Sequence, residues 1–101
     1  MDSELRKTVA KRLATIEDPE LHVDIVSLGL IYNIHIVNKI CVVSMSLTYP
    51  GCPLGPYFEE KVRSVLHGLE GFTEAKASII FQPTWKPGMM DPRLRNAYQR
   101  A

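Results

Sequence analysis

The sequence is poor in cysteine, with Cys41 and Cys52 the only two among 101 residues. It contains no CxxC pair and no Cys/His comb, so the chain alone cannot assemble a four-ligand structural zinc site of the common kind. A small secreted disulfide scaffold usually carries more cysteines than this. No apolar run approaches the roughly 20 residues that cross a bilayer, and the charged N-terminal stretch lacks the apolar centre of a secretory leader. The expectation is a soluble, cytoplasmic protein with no membrane association. An excess of one charge sign is also missing. Twelve Lys and Arg against 11 Asp and Glu leave a formal charge of +1, which gives nucleic-acid binding through phosphate neutralisation little support.

What is present suits a folded globule: 46% hydrophobic and 23% charged residues, in a length that fits one domain over 1–101. Leu5, Val9, Leu13 and Ile16 recur at helical spacing and predict an amphipathic helix over about 3–15, capped by Asp2 or Ser3 and closed off by Pro19. The stretch 18–30 has no clean period. It reads as a connector in which Asp18 or Asp24 accepts local backbone N–H bonds ahead of an apolar turn at Leu28-Gly29.

From Leu30 the period becomes two. Leu30, Tyr32, Ile34 and Ile36 form the expected core face of one strand, and Asn38-Lys39 turns the chain into a second strand over 40–48. In that strand Cys41 shares a face with Val43, Met45 and Leu47, where a cysteine behaves as a small hydrophobe. His35 falls on the opposite, wetter face of its strand. Past the Pro50-to-Pro56 corner, Phe58, Val62, Val65 or Leu66, and Leu69 build the stripe of a second helix. A third strand spans 73–81 with Ala75, Ala77, Ile79 and Phe81 inward, and a strand–helix–strand passage predicts parallel pairing. Asp91 and Pro92 suit the start of a final helix with Leu94 and Tyr98 on one side. The predicted fold is a two-layer α/β unit: helix, hairpin, helix and strand, a mixed sheet, and a short C-terminal helix.

Cys52 is the strongest chemical candidate. It stands between Gly51 and Pro53 at a strand-to-helix junction, where unpaired N–H groups and the helix dipole favour a thiolate. A metal ligand, a nucleophile and a buried corner cysteine all suit that position. A thiol enzyme needs a base beside the sulfur, and no spacing brings His22, His35 or His67 there. A cluster-handling site needs less, since one thiolate per subunit can complete a site shared with another chain. Trp85 pins the C-terminal tail to the domain or, with Met89 and Met90, offers a partner surface.

Three ordered blocks carry a resemblance: Asp18-Pro19-Glu20, then Asp24 to Tyr32, then Thr48-Tyr49-Pro50-Gly51-Cys52-Pro53-Leu54. Phe81 to Pro87 and Met90 to Arg95 extend it. The chain resembles the small metal–sulfur cluster biosynthesis family that includes PaaD-like and SufT-like proteins and cytosolic iron–sulfur assembly factors. That resemblance implies a non-enzymatic role in assembling, transferring or targeting iron–sulfur clusters to client apoproteins. It implies Cys52 as the reactive, metal-binding cysteine, with Thr48, Asp18 and Glu20 around the cluster. The cofactor so implied is a transient iron–sulfur cluster or iron, shared between subunits if the protein is a homodimer. Its partners would be carrier or scaffold proteins and client apoproteins. His22 stands where many relatives have glycine. The chain ends without the cysteine-rich C-terminal region of PaaD-like relatives. A metal-free partner-binding adaptor in the same system is the alternative, and a thiol enzyme the third reading.

Overall fold

Apolar residues at helical spacing organise the first element as expected. A computed structural model describes residues 3–48, 51 and 53–93. In it α1 (Ser3–Leu13) buries Val9 and Leu13 completely. The helix stops at Leu13, short of the predicted end, because the chain tightens there. Ile16 N–H bonds the Leu13 carbonyl at 3.0 Å, and the Thr15 hydroxyl bonds that of Arg12 at 2.6 Å. The tight turn delivers Ile16 into the core, 2% exposed.

The connector is more ordered than its sequence suggests. β1 (Glu17–Asp18) and β2 (Val23–Asp24) pair antiparallel as a small separate ladder. β3 (Ile31–Val37) and β4 (Ile40–Met45) form the predicted hairpin. Its turn residues Asn38 and Lys39 have φ of 52° and 64°, as a type I′ turn requires. β5 (Glu74–Ile79) lies parallel to β4, giving the mixed order β3-β4-β5.

Cross-strand pairs show how the core face is made. Ile36, Ile34 and Ile31 oppose Cys41, Val43 and Met45, and on the other side of β4 the same three residues oppose Ala75, Ala77 and Ile79. The pairing departs from the predicted alternation at one place. A register shift between Ile31 and Asn33 puts Ile31, not Tyr32, opposite Met45. Tyr32 is the extra residue of this bulge, and its hydroxyl donates to the Pro83 carbonyl at 2.8 Å.

α2 (Gly55–Leu66) supplies Phe58, Val62 and Leu66 to the same core, one turn apart. Cys41 is fully buried among these side chains as a free thiol, and burial pushes its pKa up. No helix among the described residues is long and apolar enough to cross a membrane.

After β5 the segment 81–91 returns along the 24–32 stretch as a strap. Trp85 Nε1 donates to the Leu28 carbonyl at 2.7 Å, and Asp91 N–H to that of Ser27 at 2.8 Å. Met90 is buried, at 7% exposure, and Trp85 is half-buried against the core. Trp85 thus pins this segment, as one of its two expectations had it, while Met89 stays 36% exposed. Residues 87–89 make a short 3-10 turn. Asp91 then caps the start of a further turn: its Oδ1 accepts the Arg93 N–H at 2.9 Å, which with the guanidinium holds the carboxyl below its ordinary range. Residues 92 and 93 are helical, while the rest of the predicted final helix, with Leu94 and Tyr98, lies outside the described residues.

Gly29 is where strap and connector touch most closely. Its φ is +74°, and a Cβ there would collide with the Met89 carbonyl. Gly29→Ala therefore combines backbone strain with a backbone clash, and we expect a loss of about 2 kcal/mol or more in denaturant unfolding. A change within about 0.5 kcal/mol would contradict the close contact.

Candidate functional site

The β4-to-α2 corner follows directly from the central strand. Beyond Met45, Ser46 N–H bonds the Leu30 carbonyl at 2.9 Å, and Ser46 and Leu47 are both buried. Thr48 is half-buried. Gly51 is exposed with φ +84°, Pro53 is exposed, and Leu54 is half-buried. The helix begins at Gly55, within the predicted Pro50-to-Pro56 corner. Its N-cap is Leu54, two positions beyond Cys52, with no side-chain cap bond and with Pro56 in the first turn. Cys52 itself, with Tyr49 and Pro50, lies outside the described residues.

Asp18 is 3% exposed, unusual for a carboxylate. Its Oδ1 accepts the Glu20 N–H at 2.8 Å and the Leu21 N–H at 3.0 Å, while its own carbonyl takes the His22 N–H at 2.8 Å. Asp18 thus organises the turn between β1 and β2 and leaves Glu20 exposed at the surface. Asp24 does the same for the next turn, its Oδ2 accepting the Ser27 N–H at 2.9 Å. The local-capping expectation holds for both acids. Among the described residues, no hydrogen bond joins Thr48 to Asp18 or Glu20, and no group of three or more His, Cys, Asp and Glu side chains is placed to hold a metal ion.

The histidines are dispersed. His22 is exposed with φ +57°, a left-handed conformation that favours glycine. His35 is exposed on β3, and His67 is the C-cap at the far end of α2. His67 also borders a hollow of about 200 Å³ with Arg63, Phe72 and Glu74, at the opposite end of α2 from the corner. Sequence reasoning missed the strap's bonds to 27–32. The only signal for them was the presence of Gly29 and Trp85 in blocks far apart in the chain.

Two substitutions test the turn. Asp18→Ala, which strands two N–H groups, should cost about 1–3 kcal/mol and speed amide exchange at Glu20 and Leu21, with Asp18→Asn milder. His22→Gly removes a left-handed side chain and should raise stability by up to about 1 kcal/mol in the same unfolding assay. Destabilisation by His22→Gly would show that the imidazole makes a contact worth more than the backbone strain.

Comparison with known proteins identifies the family. Residues 6–79 match the family model described as iron-sulfur cluster assembly protein. The Fe-S protein maturation auxiliary factor SufT of Staphylococcus aureus is 39% identical over 74 residues, covering 72% of this chain and 84% of that protein. A Fe-S protein maturation auxiliary factor of Porphyromonas gingivalis is 34% identical over 94 residues, 89% of this chain and 90% of that one. The crystal structure of a DUF59 domain of unknown function from Bacillus anthracis superposes with a TM-score of 0.86 at 28% identity, covering 96% and 93% of the two chains. The two sequence relatives are named as auxiliary factors and not as enzymes, in keeping with the non-enzymatic reading. With three quarters of its length matched and the same two-layer fold, the chain belongs to the iron-sulfur cluster assembly protein family.

Proposed function

We propose that this protein assists the maturation of client iron–sulfur proteins by holding an iron–sulfur species, or contacting its carrier, through Cys52. The observation that carries this reading is the burial of Cys41. With that thiol sealed in the core and its pKa raised, Cys52 is the only other cysteine in the chain. A cluster is commonly held by about four thiolates, so a chain with one available sulfur must borrow the others. Such a site favours hand-over above storage, because the missing ligands come from carrier, client or a second subunit.

Thr48 and the turn that carries Asp18 and Glu20 shape the site in this reading. Asp18 acts through the backbone it holds, and Glu20 presents an exposed carboxylate. The cluster or iron is cargo that the protein passes on in the cytoplasm, and the partners are carriers or scaffolds and client apoproteins.

The test is client maturation with Cys52→Ala, with Cys41→Ala as the control for a buried thiol. We expect Cys52→Ala to abolish maturation while leaving the unfolding midpoint near wild type. Iron and acid-labile sulfide after anaerobic reconstitution should fall with it. Undiminished cluster delivery by Cys52→Ala would overturn the role of the thiol, and intact partner capture in that variant would point to the metal-free adaptor.

A further inference from the structure

We propose that the outer edge of β3, with the groove beside α1, takes up an extended acidic segment of a partner protein as an added strand. β3 is an edge strand, since the sheet order is β3-β4-β5. Which of its backbone groups face outward follows from the hairpin. In a two-residue hairpin the flanking pair, Val37 and Ile40, is the hydrogen-bonded one. Alternation then makes His35 and Asn33 bond to β4, while Ile36 and Ile34 point their N–H and C=O groups away from it. Arg6 confirms the phase independently, because its guanidinium donates to the Ile34 carbonyl at 3.2 Å from outside the sheet.

The same edge is a groove of about 370 Å³, lined by Ile31, Tyr32, Asn33 and Ile34 of β3 and by Arg6, Lys7 and Ala10 of α1. Of these Ala10, Ile31, Tyr32 and Ile34 are half-buried, so they offer apolar surface to an incoming side chain. α1 carries four bases, Arg6, Lys7, Lys11 and Arg12, against one acid, Glu4, in a protein of net charge +1; Arg6 and Lys7 line the groove, while Arg12 is turned to the Val65 carbonyl of α2. The groove therefore lies along the basic element of a nearly neutral molecule. Lys7 is only loosely held by Glu4, at 3.8 Å with both side chains more than 70% exposed.

Arg6 makes the edge selective. It bonds the Ile34 carbonyl and, at 3.3 Å, the Asn33 Oδ1, and so covers an acceptor that any strand would need. An incoming strand has to displace that bond. A carboxylate on the newcomer gives the released guanidinium an anionic partner in place of a neutral carbonyl, whereas a neutral or basic strand gives it no anionic one. The occupant is thus a strand with branched apolar residues alternating with Asp or Glu, which fills the groove by strand addition. None of the residues that line the groove belongs to the 46–54 corner, and the proposal does not depend on the role proposed for Cys52.

The probe is a fluorescein-labelled peptide, TEVEVDVT, titrated with the full chain, against a basic version, TKVKVKVT, and a proline-interrupted one, TEVEPDVT. We expect saturable binding of the acidic peptide alone that weakens with added salt. Amide resonances of Ile34 and Ile36 should shift and gain exchange protection. The double variant Arg6→Glu/Lys7→Glu should weaken binding by about tenfold or more, while Cys52→Ala binds as wild type does. Equal binding of the basic or proline peptide, indifference to the charge reversal, or amide shifts confined to β5 would each overturn the proposal. So would a sedimenting dimer dissolved by the same charge reversal, which would assign the edge to a second copy of the chain.

Discussion

The pairing of β4 on both sides is the constraint on which the rest of the molecule depends. Cys41, Val43 and Met45 are fully buried, so β4 cannot slip by one residue without turning its whole apolar face outward. Its antiparallel neighbour is fixed by a two-residue turn, and its parallel neighbour by a crossover through α2. Two bonds close the ends of that crossover: Thr73 N–H to the Lys39 carbonyl at 2.8 Å, and Ile80 N–H to that of Met45 at 2.8 Å. The described residues that flank the corner, 46–48 and 53–54, are therefore anchored to a strand that cannot move and to a helix whose Phe58, Val62 and Leu66 are locked into the same core.

A second layer of order comes from polar groups, and it acts locally. Asp18, Asp24 and Asp91 each satisfy backbone N–H groups two or three residues ahead, which sets turns that no apolar pattern specifies. The strap joins these turns to the sheet by the bonds of Trp85, Tyr32 and Asp91 to carbonyls across 51 to 64 residues of chain. A tryptophan is well suited to this, since its ring packs against the core while its N–H finds an acceptor.

Much of the fold was legible in the sequence because apolar periodicity reports burial. Val9 and Leu13, the three inward residues of β4, and Phe58, Val62 and Leu66 of α2 all sit where their spacing placed them, whereas Leu69, expected to end that stripe, lies past the helix and is half-buried. What was not legible depends on pairing geometry or single dihedrals. The bulge that displaces Tyr32 changes the phase of β3 without changing its composition. β1 and β2 have two residues each, too few to carry a period. The early end of α1 depends on a hydroxyl bond from Thr15, a residue that also suits a helix. Of the candidate site, the burial of Asp18 and the exposure of Glu20 emerge only once the turn is built, because both acids look alike in the sequence. The split between the two cysteines was legible on one side. Alternation alone assigned Cys41 to the core, where it is found.

The parallel alignment of β4 and β5 has a consequence for where the chain leaves the sheet. Both strands finish at one rim of the sheet, so the segments that leave them, 46–54 and 80–86, depart from the same border. Buried Ser46 and Leu47 and the bonded Trp85 tie these segments to the framework, while Gly51, Pro53, Gln82 and Thr84 are exposed and lie outside the ladder. A domain built this way keeps the residues that set its shape apart from those it turns to the solvent.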